Sequence, residues 1–330
     1  METESPVVTT VQAAILIGSW YGTFVDNSLG WIFSDQGLDS ERPPNWVFIS
    51  TVPECFPING KMTDEEAMYR SVAFWGCYIE DKLYSAYCQR PTILMDWDIT
   101  ICPPEERLMT DENMPPNLLP HTVALARICG RKLLALYAQR HFNDVNENLK
   151  RIAFEIHGQL WEWQRKLPDD LAWPADDQSS PSPPAVLALH MQFYYNLILV
   201  HRPLLEFSKA RDELSQDASH INSTTTCMMA AANIAKLIHV YCQRYNIRHI
   251  SPNGVHMAFI AAKIHLINYR LTNVESHYRL LFMCLAALTE LGDFYTMAKK
   301  AVKILKSLIE GFRPLDEVSS QEEQTPENPI

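Results

Sequence analysis

Residues 63–104 read TDEEAMYRSVAFWGCYIEDKLYSAYCQRPTILMDWDITICPP, and this stretch decides the fold. Thr63 and Glu66 have the spacing of a capping box, which predicts that a helix begins here. Because proline disfavours helical geometry at the residue before it, we expect the helix to end before Pro91. An acidic extended segment, 93–101, is expected to follow and to stop at the proline pair Pro103-Pro104.

The predicted helix has one apolar face. Apolar residues recur at spacings of three and four, so they share that face. They are Met68, Val72, Trp75, Ile79, Leu83 and Ala86. Beside this face, the side chains of Arg70, Tyr78 and Lys82 are expected to hold their polar ends in solvent. The pattern therefore predicts a buried helix with Trp75 at the middle of its core face.

The same stretch resembles the fungal-specific transcription factor domain, the helical middle region of zinc-cluster transcription factors. The shared pattern is F-W-x-x-Y-x-x-D-K, then R-P-x-x-L-x-D-x-D-I-x-x-x-P. The matching residues are Phe74, Trp75, Tyr78, Asp81, Lys82, Arg90, Pro91, Asp96, Asp98, Ile99 and Pro103. A later apolar helix ending in Arg202-Pro203 also resembles the family. The family usually has glycine where Gln89 stands here. The resemblance implies an all-α fold in which these residues are structural.

Composition and charge restrict the function. The chain has 330 residues, of which 47% are hydrophobic and 20% charged, as in ordinary globular proteins. Its net charge of -11 argues against direct binding to the phosphate backbone of a nucleic acid. The apolar run 13–20 is much shorter than the roughly 20 residues that a membrane helix needs. Neither a membrane protein nor a secretory signal is predicted.

The eight cysteines predict no zinc site. None of them forms a C-x-x-C pair, and most lie in apolar helical stretches. We expect reduced, buried thiols in an intracellular protein, in preference to disulfides or metal ligands.

The domain organisation follows from the prolines and the charges. We expect a disordered start at 1–8, an irregular multi-helix domain with proline-rich loops at 9–312, and a disordered acidic tail at 313–330. The domain has candidate lobes at 9–167 and 185–312, joined by an exposed linker at 168–184. Within the first lobe, 9–22 is predicted as an apolar helix and 39–62 as irregular chain.

Helical periodicity recurs along the rest of the domain. After a proline-rich loop at 105–120, helices are predicted at about 122–140, 146–166, 185–201, 222–243, 253–271, 276–291 and 293–312. The last two are expected to form a hairpin broken at Gly292. At both Arg-Pro pairs we expect the arginine to precede the end of a helix.

Few residues point to chemistry. Asp96 and Asp98 could ligate a metal, but no third ligand lies nearby and pairing with Arg or Lys is favoured. The eleven histidines are interpreted as core or surface residues. No nucleophile elbow, dinucleotide loop or P-loop is present, although a site assembled from distant residues stays open.

Three proline-directed positions are candidate phosphorylation sites, namely Ser180, Ser182 and Thr325. Four lysines on the last helix are interpreted as a solvated face in preference to a nuclear localisation signal. They are Lys299, Lys300, Lys303 and Lys306.

Arg90 is expected to be structural. A bidentate pair with Asp81, Asp96 or Asp98 would hold the chain where it leaves the first helix. The alternative is a site for an anionic ligand, in which Arg90 has no partner until the ligand binds.

The resemblance implies a transcription regulator acting in the nucleus and not an enzyme. The family contacts DNA through a six-cysteine zinc cluster, which we expect to be absent from this chain, so zinc is expected only in that module and no cofactor here. Expected partners are transcription-machinery proteins, a related zinc-cluster factor, or a small-molecule inducer, with no membrane. Two alternatives are a stand-alone helical protein that titrates a related regulator and an unrecognised helical enzyme.

Overall fold

The structure is a computed structural model that describes residues 64–88, 92, 94–96, 99, 104, 115, 118–138, 146–173, 182–208 and 222–311. Several sequence predictions fall outside these residues. They are the segments 1–8, 9–22, 39–62 and 313–330, the Thr63 cap, and the residues Arg90, Pro91, Asp98, Pro103, Ser180 and Thr325.

The described residues form eight α-helices and no strand, which confirms the all-α prediction. The helices are α1 (Asp64–Cys88), α2 (Leu118–Ala138), α3 (Asn146–Arg165), α4 (Pro184–Ser208), α5 (Ser223–Arg244), α6 (Pro252–Thr272), α7 (Glu275–Leu291) and α8 (Thr296–Glu310). Short 3-10 turns lie at Asp169–Leu171 and Ile247–His249. As predicted, α1 ends ahead of Pro91.

Helix α2 begins earlier than predicted. Its first residue is Leu118, so Pro120 lies in the first turn and not in a loop. Proline is tolerated there because the first N–H groups of a helix have no intrahelical partner. The Thr122 hydroxyl donates to the Leu118 carbonyl at 2.7 Å.

Helix α4 does not end at Arg202, so that prediction was wrong. The helix continues to Ser208 with Pro203 inside it. An internal proline removes one backbone hydrogen bond and costs about 3 kcal/mol. Every residue from Leu189 to His201 is buried and Pro203 is buried too, so packing on all sides outweighs the local preference.

The described ends of the 168–184 segment combine exposed residues, namely Asp169, Asp170, Ala172 and Pro184, with two contacts to the helices. Leu171 is fully buried, and its carbonyl lies 2.8 Å from Nε2 of His190. The Tyr245 hydroxyl donates to the Ser182 carbonyl at 2.8 Å. A leucine among prolines and aspartates was enough to anchor this stretch to the core.

The main core surrounds α4, which packs against α2, α3, α5 and α6. Its buried residues come from every helix between α2 and α8, so the two candidate lobes share one core. A smaller cluster joins α1 to α2 and contains Phe74, Trp75, Cys77, Tyr78, Leu94, Leu119, Val123 and Ala126.

Helices α4 and α5 are antiparallel. Nδ1 of His201, late in α4, lies 3.0 Å from the Ser223 hydroxyl at the start of α5, while Tyr245 after α5 reaches Ser182 before α4. A short turn then reverses the chain into α6, which packs on α5. Helices α4 and α6 therefore run parallel.

The predicted break at Gly292 is confirmed. Helix α7 ends at Leu291, and α8 begins at Thr296, later than predicted. The Tyr295 hydroxyl in this turn donates to the Ile250 carbonyl at 2.9 Å, which ties the turn to the start of α6.

Candidate functional site

The buried face of α1 is rotated from the predicted stripe. Trp75 is fully buried, but Met68, Val72, Ile79, Leu83 and Ala86 are only half-buried. The deepest residues include Phe74, Tyr78, Asp81 and Lys82. Tyr78 and Lys82 are therefore not solvated tips, because their polar atoms have partners inside the protein.

Asp81 and Lys82 form a buried ion pair that holds the segment after α1. Oδ2 of Asp81 accepts from Nζ of Lys82 at 3.0 Å and from the backbone N–H of Leu94 at 3.1 Å. The Lys82 ammonium also donates to the Leu94 carbonyl. The side chains are only 1% and 3% exposed. The pair thus satisfies both backbone groups of Leu94 without a strand partner.

A second contact anchors Asp96. The Tyr78 hydroxyl donates to Oδ1 of Asp96 at 2.5 Å. Burial raises the pKa of Tyr78, and the hydrogen bond and charge of Asp96 raise it further. The hydroxyl therefore stays protonated and remains a donor to the carboxylate.

Helix α2 covers this network from the other side. The Arg127 guanidinium lies 5.4 Å from the centre of the Trp75 ring, and its hydrogen bond and charge oppose the rise in the Tyr78 pKa. Gly130 permits the close approach, since a Cβ there would lie 2.7 Å from Cδ of Lys82. We call Tyr78, Asp81, Lys82, Asp96 and Arg127, with the Leu94 backbone, the α1 anchor.

The chemistry of the α1 anchor favours positioning over reaction. It contains two carboxylates and two cations, so its formal charges cancel, and Asp81 is paired directly with Lys82. Burial raises the pKa of the nearby Cys77 thiol to about 12, which keeps that thiol protonated. Within the described residues, no group of three or more His, Cys, Asp or Glu could hold a metal ion.

Other predicted residues lie apart from the anchor or outside the described ranges. Arg202 and Pro203 are in α4, and Ser182 is half-buried. The pairing predicted for Arg90 stays a prediction. One of its proposed partners, Asp81, is already bound by Lys82 and by the Leu94 N–H.

Sequence reasoning missed a histidine cluster that joins three helices. Nδ1 of His157 on α3 lies 2.8 Å from Nε2 of His201 on α4. The other ring nitrogen of His201, Nδ1, lies 3.0 Å from the Ser223 hydroxyl on α5. Burial, with the charge of His157, lowers the pKa of His201 to about 4. No local pattern pairs His157 with His201, since they are far apart in the chain and only the fold brings them together.

No described helix is both long and apolar enough to cross a lipid bilayer.

The described part of the chain is an all-α protein. Over most of its length, the chain is similar to fungal transcription regulators. It is 28% identical over 327 residues to the nitrogen assimilation transcription factor nirA of Emericella nidulans, covering 90% of this chain and 34% of that protein. It is 25% identical over 291 residues to the nitrogen assimilation transcription factor nit-4 of Neurospora crassa, covering 81% of this chain and 25% of that protein. An uncharacterized transcriptional regulatory protein of Schizosaccharomyces pombe is 24% identical to the chain over 295 residues, and the match covers 80% of this chain and 44% of that protein.

These relatives confirm the resemblance to fungal transcription regulators that residues 63–104 predict. The chain spans about a third of nirA and a quarter of nit-4. No family model matches the chain. No solved structure matches it.

Proposed function

We propose that this chain is the regulatory middle region of a fungal transcription regulator of the zinc-cluster type. It would act in the nucleus and control a DNA-binding module that is attached to it or carried by a partner. The observation that carries the proposal is similarity over 90% of the chain to a protein named as a transcription factor. The motif residues of the α1 anchor support it.

Regulation in this proposal works by binding and not by catalysis. Tyr78, Asp81, Lys82 and Asp96 of the anchor match the family motif. Their contacts hold the segment at Leu94 and Asp96 against α1, which supports a structural role. Zinc would belong only to the DNA-binding module. Transcription-machinery proteins, a related zinc-cluster factor or a small-molecule inducer would change the activity of that module through this domain.

A reporter experiment tests the regulatory role. The full chain is fused to a heterologous DNA-binding domain in a fungal host, and transcription is compared with that from the DNA-binding domain alone. We expect the fusion to change reporter output. Asp81→Ala, which breaks the anchor, should abolish the change, whereas Gly76→Ala should keep it because nothing lies within 4 Å of a Cβ at that position.

Two outcomes would overturn the proposal. A nuclear, stably expressed fusion with the output of the DNA-binding domain alone would show that the chain does not regulate in cis. Inhibition of a co-expressed related regulator by the unfused chain, with an inert fusion, would instead support titration.

Purified chain should bind neither stoichiometric zinc nor a specific DNA sequence, given its cysteine spacing and net charge of -11. Metal analysis and a gel shift with competitor DNA measure both. Stoichiometric zinc or a sequence-specific shift would contradict this part of the proposal.

A further inference from the structure

The outer face of α8 carries a row of lysines. Lys299, Lys303 and Lys306 recur at spacings of four and three, so they share one side of the helix, and all three are exposed. We call these three residues the lysine row. Helix α8 contains four lysines and a single acidic residue, Glu310. This face is therefore positive, on a chain whose net charge is -11.

Two apolar side chains border the lysine row. Ile304 and Leu308 follow Lys300 at successive spacings of four, so the three residues form a second line along the same helix. Ile304 is 49% exposed and Leu308 is 39% exposed. The outer face of α8 thus offers both positive charge and apolar contact to a second segment of chain.

Contacts at both ends hold α8 in one orientation. The Tyr295 hydroxyl, just before α8, donates to the Ile250 carbonyl just before α6. Arg270, near the end of α6, donates to the Leu308 carbonyl near the end of α8. Helices α6 and α8 therefore run parallel. Leu305 is fully buried in the main core, and because it lies opposite the lysine row on the helix, the row faces away from that core.

The chain continues from α8 into an acidic segment, 313–330. Only Gly311 and Phe312 separate this segment from Glu310, the last residue of α8. The segment has one basic residue, Arg313, and five acidic residues, namely Asp316, Glu317, Glu322, Glu323 and Glu327. An extended chain covers up to roughly 3.4 Å per residue, and α8 is roughly 22 Å long. The acidic residues are therefore close enough in the chain to reach every lysine of the row.

We propose that the acidic segment 313–330 binds back onto the lysine row of α8 in the same molecule. Its carboxylates pair with the ammonium groups, and Leu315 and Val318, which flank the first two acidic residues, cover Ile304 and Leu308. A single exposed ion pair contributes little, whereas several charges acting together contribute more. A covalent connection this short also keeps the two partners at an effective concentration on the order of millimolar. The inference does not rest on the proposed function, since it concerns a contact within the chain.

Cleavage by a glutamyl endopeptidase tests the contact on the full chain. The protease cuts after Glu317, Glu322 and Glu323 where the backbone is accessible, so binding to α8 slows the release of these peptides. Rates are measured by mass spectrometry and divided by those of a free peptide with the sequence of 313–330, which corrects for the effect of salt on the protease. At low salt we expect cleavage about fivefold slower than in the free peptide, and we expect the difference to disappear at high salt because the ion pairs are screened.

Matched variants locate the contact. The triple variant Lys299→Gln, Lys303→Gln and Lys306→Gln should be cleaved at the rate of the free peptide. The control variant makes the same change of net charge at three exposed lysines elsewhere and should keep the protection; these are Lys150, Lys166 and Lys236. Circular dichroism checks that both variants fold. If the triple variant of the row does not fold, Lys303→Gln alone decides, with Lys236→Gln as its control.

Carbodiimide cross-linking identifies which chain supplies the acidic segment. The reagent joins a carboxylate to a lysine amine that it contacts, and an equal mixture of unlabelled and isotope-labelled chains separates links within one molecule from links between two. We expect links between 313–330 and the lysine row within one molecule. Links found only between an unlabelled and a labelled chain would assign the site to the segment of a second copy and overturn the proposal.

Two cleavage results would also overturn the proposal. One is a rate in the full chain equal to that of the free peptide at low salt, and the other is an equal loss of protection in the row variant and the control variant. Neither result bears on the reporter experiment, so a failed contact and a failed regulatory role are distinguishable.

Discussion

Removal of the Asp81 carboxylate is the sharpest test of the α1 anchor. The Lys82 ammonium bonds to the Asp81 carboxylate and to the Leu94 carbonyl, and Asp81→Ala leaves it only the carbonyl. The Lys82 side chain is 3% exposed, so water hardly reaches it. The Leu94 N–H loses its acceptor as well. An uncompensated charge and an unsatisfied donor would thus be left inside the protein.

The magnitude follows from these two losses. Breaking a buried ion pair by removing one partner destabilises by about 3–5 kcal/mol, and an unsatisfied buried N–H adds about 1–3 kcal/mol. We therefore expect Asp81→Ala to lower the free energy of unfolding by about 4–6 kcal/mol, since such terms overlap. This is a large part of the roughly 5–15 kcal/mol that stabilises a typical domain.

Urea unfolding, followed by circular dichroism, measures the change. Adding Lys82→Met to Asp81→Ala should restore part of the loss, because it removes the unpaired ammonium. An exposed pair provides the control. Glu275 and Arg279 are 3.5 Å apart on the surface of α7, and Glu275→Gln should give no measurable change.

The reasoning would be refuted in either of two ways. One is a loss below about 1 kcal/mol for Asp81→Ala, which would mean that water or chain movement compensates the ammonium. The other is a double variant no more stable than Asp81→Ala, which would mean that the two side chains act independently.

Three further predictions concern the α1–α2 cluster and the main core. Gly130→Ala should destabilise because its Cβ would meet the fixed Lys82 side chain at 2.7 Å, whereas Gly76→Ala should be neutral or stabilise by up to about 1 kcal/mol; equal urea midpoints would contradict this. Trp75→Ala should cost about 3–5 kcal/mol, since the side chain is fully buried, and a wild-type midpoint would show that this face is not core. His201 and His265 have pKa values lowered to about 4, so the unfolded chain binds more protons below pH 6.5. Stability should then be complete above pH 6.5 and fall towards pH 4, by about 2 kcal/mol per histidine at pH 5. A midpoint unchanged between pH 7 and pH 5 would refute this.

Helix periodicity predicted the existence of α1 correctly but not its buried face. The apolar pattern assigns Tyr78 and Lys82 to the edge of the face because it counts polar residues as solvated. Their partners, the Leu94 backbone and Arg127, belong to other parts of the chain. Only the tertiary structure shows that these polar groups are satisfied inside.

The same dependence on tertiary structure explains the α4 boundary. Proline chemistry predicted a helix end at Arg202, but packing from neighbouring helices decided the boundary.

The central position of α4 affects how the chain is made. Trp161 and Trp163 of α3 pack against Phe193 of α4, yet α3 leaves the ribosome first. Helix α4 has apolar residues on all sides, so part of its surface stays uncovered until α5 and α6 have been synthesised. A large apolar surface is therefore uncovered through much of translation, when it is prone to aggregate. Chaperones that cover this surface during synthesis should therefore raise the yield of this protein.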